Sequence, residues 1–129
     1  MIESAAHPVF LDTSVLIDFL RGRHEAIRVI GALVVPPLSS EICRVELLQG
    51  LRESEHADAA ALASLIEWIP VVEPISIRAG ELGRRWRPSH SGIGAADLII
   101  ASTAELTGAS FLTLDVRHFP MFKRLQPAY

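Results

Sequence analysis

The sequence predicts an α/β fold of three layers, with helices on both faces of a mainly parallel central sheet. Short apolar runs alternate along the chain with longer segments whose apolar residues recur at the helical period. This alternation of strands and helices is typical of a parallel sheet, because helical crossovers then cover its two faces. A length of 129 residues indicates one domain. We therefore assign residues 1–129 to a single domain, with 1–7 as a flexible lead-in.

In the first half of the chain, the elements follow from the apolar pattern and from the residues that interrupt it. Pro36 and Pro37 exclude a fully paired central strand, because proline lacks the N–H that a ladder requires. Ser40 is a favourable N-cap for the helix that follows. The predicted elements are a strand over Val9–Asp12, helices over Thr13–Leu20 and His24–Ala32, an edge-like strand or link over 34–38, and a helix from Ser39–Glu41 to about Leu51 with Ile42, Val45 and Leu48 on its apolar face.

In the second half, two residues define the ends of helices. Pro70 ends a helix that begins near Glu55, because proline disfavours the α conformation in the residue before it. Gly108 closes a long apolar helix as its C-cap. The residues after Asp115 are predicted to be irregular, with one last short strand. The predicted elements are a helix from Glu55 to near Trp68, a strand over Val71–Pro74, helices over Ser76–Trp86 and Gly94–Thr107, and a strand over Ser110–Leu114.

The composition narrows the class of protein and its compartment. Half of the residues are hydrophobic, which is typical of a globular chain, but no apolar run reaches the length that spans a membrane. The first residues lack the pattern of a secretory signal, and Cys43 is the single cysteine. We expect a cytoplasmic protein without membrane association. The net charge of −3 argues against a purely electrostatic clamp on nucleic acid, but not against a nuclease whose acids hold cations.

Two of the predicted strands end in an aspartate. Asp12 follows the first strand and Asp115 follows the last. The carboxyl ends of parallel strands meet at one edge of the sheet, where open α/β sheets bind ligands, so we expect both carboxylates there. Asp12, Thr13 and Ser14 are all favoured N-cap residues, and each could instead begin the following helix. A carboxylate after a strand is also common in loops, so Asp115 alone indicates little.

Two further acids lie in predicted helices. Glu46 has Gly50 one turn after it on the same face, although a solvated Glu46 is the alternative. The helical neighbours of Asp97 are all apolar, so its carboxylate faces inward or towards a cleft. Alternatively, Asp97 lies in the first turn and interacts with the helix dipole. The acids expected to be solvated are Asp18, Glu41, Glu53, Glu55 and Asp58.

Taken together, Asp12, Glu46, Asp97 and Asp115 predict a site for divalent metal. Magnesium and manganese prefer carboxylate oxygens. Bound ions of this kind activate a water and neutralise charge on a phosphate during cleavage. Without a cation, clustered carboxylates repel one another. We therefore predict that these acids hold metal and that the chain cuts RNA.

Four segments of the sequence carry recognisable motifs: LDTSVLID from Leu11, VELLQG from Val45, ADLIIA from Ala96 and LTLDVRHF from Leu112. In this order, and over nearly the whole chain, they resemble the PIN-domain family, specifically the VapC-type toxins of bacterial toxin–antitoxin pairs. The resemblance implies a PIN-like fold and an endoribonuclease that depends on Mg²⁺ or Mn²⁺.

The same resemblance implies residue roles and partners. Asp12, Glu46, Asp97 and Asp115 would be the catalytic residues and the metal ligands, and Ser14 would support the site through its hydroxyl. Many such toxins have Asn where this chain has Asp115. The implied partners are an RNA substrate, an antitoxin protein that covers the site, promoter DNA reached only through the antitoxin complex, and a second copy in a homodimer.

The basic residues suggest where RNA could bind. Arg117 and His118 directly follow Asp115 and are predicted substrate contacts, although His118 could instead fix the following segment by a hydrogen bond. Arginines beside an aromatic residue suit phosphate contact and base stacking. A solvated helix end is the alternative for these arginines. They are Arg84, Arg85 and Arg87, beside Trp86.

Two other functions compete with the nuclease. A non-catalytic PIN-like module would keep the fold and bind protein or RNA, but the presence of all four acids argues against it. A phosphate-accepting signalling domain would have paired acids after the first strand and a lysine after a late strand. Here the first strand ends in Asp-Thr-Ser, and Lys123 lies eight residues beyond Asp115.

Overall fold

A computed structural model describes residues 7–129 and confirms the three-layer α/β/α fold. The predicted lead-in over 1–7 lies outside the described residues, apart from His7. Within this part of the chain, four strands alternate with six α-helices. The strands are β1 (Val9–Leu11), β2 (Leu38–Ser40), β3 (Glu67–Ile69) and β4 (Ser110–Leu112). The helices are α1 (Thr13–Leu20), α2 (His24–Gly31), α3 (Glu41–Gln49), α4 (His56–Ala63), α5 (Glu73–Trp86) and α6 (Ala95–Thr107), with 3₁₀ turns at Glu53–Glu55 and Val116–His118.

The sheet is parallel throughout, and its strand order is β3-β2-β1-β4. The chain therefore leaves β1 towards β2 on one side and returns to pair β4 on the other side. In β1 and β4, Phe10 lies opposite Phe111 and Leu11 lies opposite Leu112. The point where strand order reverses leaves a crevice at the carboxyl ends of the strands. Asp12 follows β1 at that point.

The core joins the central strands to the segment that follows β4. Phe10 and Phe119 are fully buried, and the ring of Phe111 lies 5.7 Å from Phe10 and 4.7 Å from Phe119 between centroids. Phe122 approaches the same ring at 5.0 Å. Aromatic rings at these separations interact favourably beyond the area that they bury. This cluster holds the residues after Asp115 against the sheet without any strand of their own.

The two middle strands lie elsewhere than the sequence pattern indicates. β2 begins after Pro37, whose carbonyl accepts a hydrogen bond from the backbone N–H of Glu67 at 2.9 Å. Of the two alternatives for 34–38, the strand was therefore wrong in position, since the prolines precede β2, and residues 34–37 form a link. β3 occupies Glu67–Ile69, which was predicted to be helical, and the predicted strand over 71–74 is wrong.

The helix before β3 ends earlier than Pro70 requires. α4 stops at Ala63, whose carbonyl at the helix end accepts both the indole N–H of Trp68 at 3.0 Å and the backbone N–H of Ile66 at 3.3 Å. Downstream, α5 begins at Glu73 with Pro74 in its first turn, a position where proline loses no hydrogen bond. The predicted helix starting at Ser76 was thus too short.

The remaining differences concern α3 and the end of the chain. Val45 and Leu48 are exposed and Cys43 and Leu47 are buried, so the predicted apolar face of α3 was wrong. No strand follows β4 in the described part of the chain, which contradicts the predicted last strand.

No helix among residues 7–129 is long and apolar enough to cross a membrane. Burial raises the pKa of the Cys43 thiol to about 11.

Glu55 is buried rather than solvated, contrary to expectation. Its Oε1 accepts the backbone N–H of Arg52 at 2.7 Å, and its Oε2 lies 3.3 Å from the guanidinium of Arg21 on the far side of α1. The Arg52 hydrogen bond, and then Arg21, hold the pKa of Glu55 below its ordinary value. This carboxylate therefore ties the turn before α4 to α1.

Replacing Glu55 by Gln should lower the melting temperature at neutral pH, because Gln keeps the acceptor oxygen but loses the charge. A lowered folded-state pKa gives stability that is present above the unfolded-state pKa and is lost as pH falls through the folded-state value. The difference from wild type should therefore shrink in melts at acid pH. Glu53→Gln, on the same turn and exposed, is the control. A difference that stays constant into the acid range would contradict the assignment.

Candidate active site

The four predicted acids line one cleft at the carboxyl edge of the sheet. Its volume is about 600 Å³. Asp12 reaches it from the end of β1, Glu46 from α3, Asp97 from the first turn of α6 and Asp115 from the turn after β4. The structure thus places side chains from four separate parts of the sequence around one space.

Asp12 lies deepest of the four acids. It is 3 % exposed, and its backbone N–H continues the ladder by donating to the Leu112 carbonyl at 3.0 Å. Its Oδ2 accepts hydrogen bonds from the Thr113 hydroxyl at 2.6 Å and from the Ser14 hydroxyl at 3.0 Å. Its side chain makes no capping bond to α1, although its backbone occupies the N-cap position. The N-cap alternative therefore does not explain the side chain.

Burial raises the pKa of Asp12, and the negative charge of Asp115 acts in the same direction. The hydroxyls of Thr113 and Ser14 lower the pKa because they donate to the ionised form. The backbone N–H of Thr13 also lowers the pKa, but the net direction is upward, so burial outweighs all three hydrogen bonds. A positive charge in the cleft would relieve this imbalance.

The other three acids are progressively more open to solvent. Glu46 is partly buried, and its Oε1 accepts the Thr13 hydroxyl at 2.7 Å. Asp97 is also partly buried, and its Oδ2 accepts the Gly94 backbone N–H at 3.1 Å. Asp97 therefore both caps the start of α6 and faces the cleft, so the two interpretations of this residue hold together. Asp115 is exposed at the rim.

The predicted substrate residues differ in position. His118 lines the cleft, and its Nδ1 lies 3.4 Å from the Asp97 carboxylate. This contact joins the turn after β4 to α6, so it is compatible both with a structural role for His118 and with a role in the cleft. Arg117 is exposed and lines a separate, smaller depression beside Asp115. Arg84 and Arg87 line a surface groove between α5 and α6, away from the residues of the cleft.

Several residues of the site escaped the sequence interpretation. Thr13 and Thr113 hold the carboxylates of Glu46 and Asp12, and Gln49 also lines the cleft. Thr113 carries a usable signal, because a hydroxyl directly after an apolar strand is buried in many sheets and then requires a partner. Asp18 was expected to face solvent, but its Oδ2 accepts the Tyr129 hydroxyl at 2.7 Å.

The chemistry of the donors fits a hard cation. Carboxylate oxygens are the ligands that Mg²⁺ and Mn²⁺ prefer, and Mg²⁺ is usually held by one or two carboxylates while it keeps several waters. Within residues 7–129, no three His, Cys, Asp or Glu side chains form a group close enough to enclose a bare ion. A cleft of about 600 Å³ is instead large enough for an ion with part of its water shell.

Comparisons with known proteins give a consistent assignment. The family model described as "PIN domain" matches residues 9–125. The chain is 44% identical over 122 residues to Ribonuclease VapC19 of Mycobacterium tuberculosis, covering 92% of this chain and 98% of the relative. It is 37% identical to Ribonuclease VapC10 of the same organism, covering 94% and 92% of the two chains.

A solved structure has the same fold. A chain of a toxin–antitoxin complex from Klebsiella pneumoniae matches with a TM-score of 0.78 and 25% identity, over 94% of this chain and 98% of the other. The agreement thus covers nearly the full length of both chains.

Replacing Asp12 by Asn should make the metal-free protein at least as stable as wild type at neutral pH. Because the folded-state pKa of Asp12 is raised, its contribution favours folding below the unfolded-state pKa and is lost as pH rises through the folded-state value. The advantage of the variant should therefore disappear at acid pH. Thermal melts in a chelator measure this, with the exposed Asp58→Asn as control. A strongly destabilised D12N would indicate that the ionised carboxylate supports the fold.

Proposed function

The chain belongs to the PIN-domain family, and we propose that it is a metal-dependent endoribonuclease that acts as the toxin of a toxin–antitoxin pair. One observation carries the proposal: Asp12, Glu46, Asp97 and Asp115 line a single cleft at the point where the strand order of the sheet reverses. The relatives with 44% and 37% identity are named ribonucleases, which supports the same activity. Residues 1–129 would act as one nuclease domain.

In this proposal the four acids are the metal ligands, and Mg²⁺ or Mn²⁺ is the cofactor. When bound, such an ion supplies an activated water and neutralises charge on the phosphodiester. Asp12 would be a ligand of defined orientation, because its carboxylate is buried and accepts hydrogen bonds from two hydroxyls. Asp97 and Glu46 add charge from helices that are themselves rigid. Asp115, at the exposed rim, is the acid best placed to meet the substrate side of the cation.

The substrate is RNA in this proposal, and His118 is the basic side chain nearest to the acids. It lines the cleft beside Asp97, where it could donate a hydrogen bond to a phosphate oxygen. Arg117 lies one residue away, in the smaller depression that shares Asp115 and His118 with the cleft. These two residues would bind the backbone of RNA on one side of the scissile bond.

The partners follow from the family and from the similar solved complex. An antitoxin partner is supported by the toxin–antitoxin complex that shares this fold at 25% identity, and we propose that this partner blocks the cleft. Promoter DNA would be reached only through that antitoxin. A homodimer remains a prediction from the family resemblance, and a cytoplasmic location remains a prediction from the composition of the sequence.

Replacing Asp97 by Asn should abolish RNA cleavage and leave folding intact, because Asn keeps an oxygen for the Gly94 N–H. The purified wild-type chain with Mn²⁺ should generate new RNA ends that the variant does not, and co-expression with an antitoxin should suppress them in cells. Asp97→Ala would lose the hydrogen bond from Gly94 as well, together with a helix-dipole interaction of about 0.3–1 kcal/mol. Cleavage by a well-folded D97N would contradict the mechanism, and absence of cleavage by wild type would favour a non-catalytic module.

Manganese alone should raise the melting temperature of the wild-type chain. An ion at a hundred times its dissociation constant adds about 2.7 kcal/mol when it binds only the folded state. D97N should show a smaller increase, because one ligand charge is lost, whereas Asp58→Asn should behave as wild type. The absence of any shift for wild type at millimolar Mn²⁺ would count against the metal site.

A further inference from the structure

Two hydroxyl groups connect Asp12 to the backbone that follows β4. The Thr113 hydroxyl donates to Asp12 Oδ2 at 2.6 Å and accepts the Asp115 N–H at 3.0 Å. The Ser14 hydroxyl donates to the same oxygen at 3.0 Å and accepts the Leu114 N–H at 3.1 Å. Each hydroxyl is therefore a bridge between a backbone donor and the carboxylate.

The backbone N–H groups fix the direction of both bridges. An amide N–H can only donate, so each hydroxyl oxygen is used as the acceptor and each hydroxyl proton is directed at Asp12. Both protons point at Oδ2, and no side chain of the described residues donates to Oδ1. The two hydroxyls therefore hold one oxygen of the carboxylate, and the Thr13 backbone N–H is a further donor that acts on the same group.

Thr113 is the more constrained of the two bridges. Its side chain is fully buried, and its backbone carbonyl accepts the Ala128 N–H at 2.9 Å. The neighbouring Tyr129 donates its hydroxyl to Asp18 on α1 at 2.7 Å. Residues 128–129 thus fasten Thr113 to the same helix that carries Ser14, so the hydroxyl of Thr113 has little freedom to move.

We propose that Thr113 is a positioning residue: its buried hydroxyl fixes the orientation of the Asp12 carboxylate relative to Asp115 and sets how tightly the cleft holds a divalent cation. This inference rests on the proposed function and adds a residue to it. The methyl group of Thr113 serves packing, and the hydroxyl serves Asp12. The two contributions can be separated by substitution.

The test compares Thr113→Val, which removes the hydroxyl and keeps the shape, with Thr113→Ser, which keeps the hydroxyl. The control is Thr103→Val, because Thr103 is also fully buried and its hydroxyl bonds only the Ile99 carbonyl within α6. We expect T113V to bind Mn²⁺ alone, in a direct titration, about 10- to 100-fold more weakly than wild type, and kcat to fall by a similar factor at nearly unchanged KM. T113S and T103V should stay close to wild type in both measurements.

The outcomes separate this inference from the proposed function. The positioning role would be overturned if T113V binds Mn²⁺ as tightly as wild type, or if T113V and T113S lose affinity equally. The proposed function would still stand in that case, provided that wild type cleaves RNA and D97N does not. If T113V does not fold, Thr113→Ala replaces it with the same expectations. Failure of both to fold beside a folded T113S would also overturn the inference, because the hydroxyl would then act on folding. If wild type does not cleave RNA but its Mn²⁺ affinity still depends on Thr113, the proposed ribonuclease activity is refuted and the positioning role of Thr113 is kept.

Discussion

The candidate active site depends on the burial of one carboxylate at the point where the strand order of the sheet reverses. Asp12 is 3 % exposed, and removing an ion from water costs several kcal/mol even after the protein relaxes. Hydrogen bonds to a charged group return about 1.5–3 kcal/mol each. The bonds from Thr113 and Ser14 therefore offset much of the penalty but not all of it, in agreement with the raised pKa of Asp12. A divalent cation is the kind of ligand that removes the remainder.

The other acids show how a fold can place several carboxylates around one cleft and remain stable. Glu46 is held by Thr13, and Asp97 is held by the backbone at the start of α6, where the helix dipole favours an anion. Asp115 stays at the exposed rim, where water screens its repulsion from Asp12. Asp12, Glu46 and Asp97 thus each accept a hydrogen bond from a nearby hydroxyl or backbone N–H, whereas Asp115 is exposed to solvent. The acids can coexist in the metal-free protein because none depends on another for its hydrogen bonds.

The elements that place the site were largely predictable, and the elements away from it were not. The apolar run before Asp12, the helix that ends on Gly108 and the run before Asp115 each carry a local signal that the structure follows. The strand over Glu67–Ile69 has no such signal, because its alternation is too short to distinguish it from the end of a helix. The burial of Glu55 and the roles of Thr13 and Thr113 depend on partners more than thirty positions away in sequence. No local pattern contains that information.

The net charge of −3 is consistent with an RNA-cutting protein once the location of the charge is considered. Four of the acids line one cleft, so the anionic character is concentrated where cations would neutralise it. Two divalent ions would add four positive charges there and offset the four negative charges of the carboxylates that a phosphate would otherwise meet. His118 lies within the cleft and Arg117 beside it, so the first basic groups that RNA encounters flank the acids directly. Attraction of RNA would then depend on metal rather than on a basic surface, which explains how an acidic chain can act on a polyanion.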